Sequence, residues 1–493
     1  MTASPTVSAA NSLAPRDRTV ILILLVATFV VILNETIMNV ALPRLMSELH
    51  VVASSAQWLS TAFMLTMAVV IPVTGFLLQR LHTRTVFFAA MLLFCAGTLL
   101  AGLAPGFGVL LVARIVQACG TAIMLPLLMT TVLTLVPAQQ RGAVMGNISI
   151  VISVAPAIGP TISGLILQSL SWRFMFLFVL PIALAALAYG ARALNNVGER
   201  QRLTLDVLSV PLSALGFGGL VYGLSQAAGP AGLNAPAVIW PLIVSALGLT
   251  LFVARQLALQ RTGAPLLDLR VFRFPPFTLG VLLMMIAMMA LFGGAILLPI
   301  YLQTVRGLTS LQTGLLLLPG GLLMGLLAPL VGRLFDRYGP LWLVTPGTAL
   351  MTLVLWQLGG IGAATPVWWL LSLHLLLSVG LALLFTPVFT SALGPLPMHL
   401  YSHGSAALST LQQVAGAAGT ALLITVMTGR IGALTKTDVA LPLAQSAGLQ
   451  AAFSVAAGIS VLAVVLALFM RRSPAPAPAP HAEAAAAQVP SHS

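Results

Sequence analysis

Residues 72–80 read Pro-Val-Thr-Gly-Phe-Leu-Leu-Gln-Arg, and residues 329–337 read Pro-Leu-Val-Gly-Arg-Leu-Phe-Asp-Arg. Pro, Gly and the closing Arg recur at one offset, 257 residues. The copies close the apolar runs 57–78 and 311–332. These are the second and tenth of fourteen runs in the chain long enough to span a bilayer, which takes about 20 residues each. Two copies eight spans apart fit two six-span halves with two extra spans between them, and repeated halves enclosing a site are a common plan for secondary transporters.

The rest of the chain agrees. Of 493 residues, 59% are hydrophobic and 6% charged, with a mean hydropathy of +1.06. A soluble chain carries about 25% charged residues, so lipid is the solvent here. Runs this long in lipid must be helical, because every backbone polar group needs an internal partner. The expected fold is therefore an all-α membrane protein with fourteen transmembrane helices. Residues 1–18 form an N-terminal segment, 19–193 the first six-helix half and 206–258 the two extra central helices. Residues 277–470 form the second half and 473–493 a Pro/Ala-rich disordered tail.

The net charge of +13 does not point to nucleic acid, since the Lys and Arg residues lie scattered at the edges of apolar runs. They act as topology signals. With alternating spans, sixteen fall on one side and five (Arg44, Arg173, Arg306, Arg430 and Lys436) on the other. The positive-inside bias puts the sixteen, and both termini, in the cytoplasm. Two cysteines in apolar runs, Cys95 and Cys119, supply neither a disulfide framework nor a zinc site. No phosphate-binding loop or nucleophile constellation points to an enzyme or an ATP-driven pump. No cofactor or metal is expected, and a monomer fits the two-half plan.

Charge inside the spans is scarce, so each instance carries weight. Of nine acids, Glu35 alone lies deep in a run, roughly 24 Å from one end and 10 Å from the other. A carboxyl exposed in turn to two aqueous sides can load a proton from one and release it to the other. Asn39 lies one turn on and shares its face. Arg114 is the basic residue within a span and needs a partner or water; Gln117 is one turn away. Met284, Met285, Met288 and Met289 read as lipid-facing packing.

Several motifs carry a family resemblance. Leu33-Asn34-Glu35-Thr36-Ile37-Met38-Asn39 opens the first half; Arg114-Ile115-Val116-Gln117-Ala118-Cys119-Gly120 lies in the fourth span. Ala155-Pro156-Ala157-Ile158-Gly159-Pro160-Thr161-Ile162-Ser163-Gly164 lies in the fifth. Gly332, Asp336, Arg337 and Gly339 form a complete loop motif, whose first copy keeps Gly75 and Arg80 but has Gln79 and His82 where the acid and glycine belong. The chain resembles the major facilitator superfamily, specifically its fourteen-span drug:proton antiporters and their lincomycin-exporter branch. Asn34 stands where that group usually has Asp, the acid having moved to Glu35.

The resemblance implies a proton-coupled multidrug exporter of the bacterial cytoplasmic membrane. Glu35 and Arg114 would couple the proton, and Pro156, Gly159, Pro160 and Gly164 would be the export motif. Gly75, Arg80, Gly332, Asp336, Arg337 and Gly339 would form a cytoplasmic gate. Asn34, Met38, Asn39, Gln117, Phe292 and Gln303 would contact amphipathic small-molecule drugs. A metabolite exporter on the same scaffold and a non-transporting membrane sensor are the alternatives.

Overall fold

A computed structural model describes residues 14–51, 53–137, 140–197, 206–227, 235–261, 265–362, 364–437 and 439–470. The expected tail, most of the N-terminal segment and the side chain of Asn39 lie outside the described residues. Every described element is helical.

The first six helices are α1 (Pro15–Glu48), α2 (Ala53–Arg80), α3 (Thr83–Gly102), α4 (Phe107–Leu135), α5 (Arg141–Ser169) and α6 (Arg173–Ala193). Next come α7 (Ser209–Ser213), α8 (Gly219–Ala227) and α9 (Pro236–Leu259). The last six are α10 (Pro275–Ile300), α11 (Ser310–Tyr338), α12 (Leu341–Leu358), α13 (Val367–Leu393), α14 (Tyr401–Thr435) and α15 (Leu441–Ala467). Proline and Asp17 in the first turn of α1 suit a helix start, where N–H groups lack partners. A capping box between Thr309 and Gln312 starts α11.

Thirteen described helices are long and apolar enough to cross a membrane. The fourteenth expected span, 206–225, is α7 and α8 joined through a π-helical turn, Ala214–Gly218. The cause is local. Gly216 and Gly218 weaken the α-helix there, and Ser245 of α9 donates to the Gly216 carbonyl at 2.6 Å. Gly248 of α9 packs against the same turn.

Small residues set the close crossings. A Cβ on Gly97 would collide with the α4 backbone at Gln117, and one on Gly120 with α3 at Ala90. The first and last six helices meet through α5 with α11 and α2 with α14. The α5–α11 pair is antiparallel: Gly142 lies against Gly332 and Asp336, Gly146 against Ala328, and Thr161 against Gly314. The methionines of α10 correct the lipid-facing expectation. Met284 and Met288 are buried, and Met289 packs on Gly419 of α14. The unbranched Met289 side chain fits against the space this glycine leaves.

The central helices are tied to the arginine-rich end by polar contacts. Arg255 of α9 grips Asp206 at 2.8 Å, which holds that carboxyl below its usual range, and Asp206 accepts from Ser209 at the start of α7. The buried Gln256 side chain accepts from the backbone N–H groups of Leu266 and Leu267. Burial pushes the Asp268 carboxyl up, but hydrogen bonds from Arg270 outweigh it and hold the group low.

Candidate functional site

The site is built on α1, α4 and α3. Leu22 and Val26 of α1 are exposed and define its lipid face. Glu35 comes thirteen residues after Leu22, which at about 100° per residue places it roughly 220° round the helix, away from lipid. It is half-buried. Its neighbours Asn34, Ile37 and Met38 are fully buried.

Arg114 of α4 is 1% exposed, two turns into its helix. Its Nη1 donates to Asn34 Oδ1 at 3.2 Å and to Gln117 Oε1 at 2.7 Å. The guanidinium lies 4.0 Å from the centroid of the Phe63 ring on α2, a favourable cation–π placement when desolvated. Gln117 Nε2 donates to Thr98 Oγ1 of α3 at 2.8 Å, and Thr98 donates to the Phe94 carbonyl at 2.6 Å. A buried cation is thus held by neutral groups from three helices. The carboxylate of Glu35 does not close an ion pair with it. Arg114 Nε and Asn34 Nδ2 are buried with no acceptor.

The fifth-span motif packs beside this site. A Cβ on Gly159 would collide with Thr36, next to Glu35, and Thr36 Oγ1 lies 3.5 Å from the Ala155 carbonyl. Gly164, five residues on, instead faces Leu311 of α11. The motif therefore presents its two glycines to different helices. Pro156 and Pro160 are half-buried within the unbroken α5.

The two copies of the repeat both meet the opposite half at the arginine-rich end. Asp336 of α11 accepts from the N–H groups of Gly142 and Ala143 at 3.1 and 3.2 Å, at the first turn of α5. That places a carboxylate at a helix N-terminus, where the dipole favours it. In the first copy Gln79 donates to the His399 carbonyl, just before α14, at 2.8 Å. Gly75 packs on His403 of α14. Gly339 ends α11 at φ +82°, a conformation that favours glycine. Arg80 and Arg337 are exposed beside the rings of Phe76 and Tyr338.

A third contact was not legible beforehand. Arg141, one of the sixteen basic residues assigned to that end, is buried at the start of α5. It donates to the Leu133 and Val136 carbonyls and across the halves to the Gly394 carbonyl and the Tyr401 hydroxyl. Nothing in a lone arginine after a loop signals this. Thr98 and Phe63 were missed for the same reason, since they come from separate spans.

Of the expected drug-contacting residues, the structure joins Asn34 and Gln117 through Arg114. Met38 is buried in α1, Phe292 packs on Gly416, and Gln303 is exposed in the π-helical turn Tyr301–Val305 that follows α10.

Fold, repeat and buried polar centre define a multi-pass membrane transporter. The chain matches the Major Facilitator Superfamily over residues 24–420 and belongs to that family. It is 42% identical over 456 residues to the lincomycin resistance protein LmrB of Bacillus subtilis, covering 91% of this chain and 95% of that one. A Mycobacterium tuberculosis protein named multidrug resistance protein B homolog is 28% identical over 80% of this chain and 73% of its own. The fold resembles that of the human organic anion transporter MFSD10, with a TM-score of 0.67 at 18% identity, over 92% of this chain and all of that one. This family and fold are those of transporters, not enzymes.

Proposed function

We propose that the chain exports amphipathic drugs from the bacterial cytoplasm in exchange for protons, by alternating access between its two six-helix halves. The observation that carries the reading is Glu35, the one acid deep in a span, half-buried beside an Arg114 held by neutral partners. The names of the relatives, lincomycin resistance and multidrug resistance, support a drug as substrate.

The arginine-rich end is the cytoplasmic one, with both termini there. Contacts from Asp336, Gln79 and Arg141 close that end, whereas α5 and α11 are less tightly packed at the other: a Cβ on Gly164 would meet Leu311 at 3.8 Å. The arrangement fits the state that faces outward, in which Glu35 takes up its proton. Opening the cytoplasmic end then breaks the three contacts and releases the proton inward. About 100 mV supplies ~2.3 kcal/mol per charge moved, enough for roughly a fifty-fold gradient when one net charge moves per cycle.

The test compares drug susceptibility of a sensitive strain expressing the full chain or Glu35→Gln, with lincomycin heading the panel. Proton release is then measured in everted membrane vesicles. Glu35→Gln is expected to insert normally and lose both resistance and drug-driven proton release. Undiminished exchange in that variant would sink the reading.

A further inference from the structure

The Arg114 centre holds more donors than acceptors. Arg114 Nη1 is satisfied by two neutral oxygens, but Arg114 Nε and Asn34 Nδ2 lie buried without a partner. A buried donor without an acceptor is costly. Both belong to the same hydrogen-bonded pair, and Asn34 directly precedes the membrane-embedded acid.

Asn34 spends its one acceptor on Arg114, and the direction of its amide is fixed by that bond. An amide oxygen neutralises no charge. The guanidinium is thus anchored to α1 by a neutral group, with the Phe63 ring against its face. Two donors on the anchored pair, Arg114 Nε and Asn34 Nδ2, are left for an oxygen that the present state does not place there.

The charged surroundings are simple. α2, α5 and α6 carry no charged side chain at this depth, their arginines lying at the ends. α4 contributes Arg114 and the uncharged Cys119. Glu35 is the acid one residue away.

We infer that Asn34 is a positioning residue for proton coupling: it holds Arg114 through a neutral amide, keeping the charge and two free N–H groups available to the Glu35 carboxylate once its proton has left. Glu35 protonated leaves the two donors open; Glu35 ionised closes on them. An aspartate at position 34 would instead pair with Arg114 permanently, and the two acids would compete for one cation. This rests on the reading of Glu35 as the coupling acid.

The experiment uses purified full-length protein in lipid, and its spectroscopic arm needs no drug. The carboxyl stretching band of Glu35 is identified by its absence in Glu35→Gln and followed by infrared difference spectroscopy through a pH titration. In Asn34→Asp, an isosteric change, and in Asn34→Leu, the Glu35 midpoint is expected to move by more than one pH unit. Lincomycin-driven proton release in vesicles is expected to fall roughly tenfold to a hundredfold, the size of one hydrogen bond to a charged group.

An unchanged Glu35 band in both variants overturns the proposal, as does wild-type proton release in Asn34→Asp. Should Asn34→Leu fail to fold, Asn34→Asp decides alone. A Glu35→Gln protein that still exchanges protons refutes the coupling role of Glu35 instead, and that outcome is separate from the Asn34 result.

Discussion

Replacing Asp336 by Asn should loosen the closed arginine-rich end. Asp336 accepts two backbone hydrogen bonds from the first turn of α5, at 3.1 and 3.2 Å. A hydrogen bond to a charged group contributes about 1.5–3 kcal/mol, and a carboxylate at a helix N-terminus gains about 0.3–1 kcal/mol more. Asn keeps one of the two acceptors and loses the charge. The closed arrangement should therefore lose about 1.5–3 kcal/mol, which shifts its population relative to the open one by roughly tenfold to a hundredfold.

The shift can be read at Ser149, which is buried and accepts from Thr386 of α13 across the halves at 2.7 Å. A cysteine placed there, with Cys95 and Cys119 changed to serine, is shielded while the end is closed. Its maleimide labelling should accelerate at least about tenfold when Asp336→Asn is added, the lower bound of that shift. Equal labelling rates with and without Asp336→Asn would refute the assignment of Asp336 to the closed end.

Gly159→Val should impair export without preventing insertion, because its Cβ alone already collides with Thr36 beside Glu35; wild-type drug resistance at equal expression would contradict this. Gly339→Ala places a side chain at φ +82° and should lower stability by about 1 kcal/mol, read as a fall in Tm in detergent. The Arg255 hydrogen bond holds Asp206 below its usual carboxylate range. Its contribution is present above the unfolded carboxyl value of about 4 and fades as pH falls through the lower folded value. Asp206→Asn should therefore lower Tm at neutral pH and narrow the gap to wild type on acidification.

Much of the fold was legible because lipid imposes a simple rule. Long apolar runs must be helices, and the Pro72 and Pro329 repeats separated them into halves. The run 206–225 was legible as an apolar helix but not as a π-interrupted one, since the interruption coincides with Ser245 reaching across from α9. Glu35 and Arg114 stood out by charge alone. Their relation did not, because which oxygen a guanidinium reaches is decided by helix rotation.

The sequence by itself determined the solvent, the helical class, the duplicated halves and the two charges that a membrane tolerates only for a reason. Scarce charge and long apolar runs are one-dimensional signals, and the cost of desolvation makes them unambiguous. The tertiary structure alone decided that Arg114 is held by Asn34 and Gln117, that Asp336 caps α5, and that Arg141 spans both halves. Those are contacts between residues up to 260 positions apart. Glycine-set helix distances and rotations of a few tens of degrees choose among partners that the linear pattern leaves equivalent.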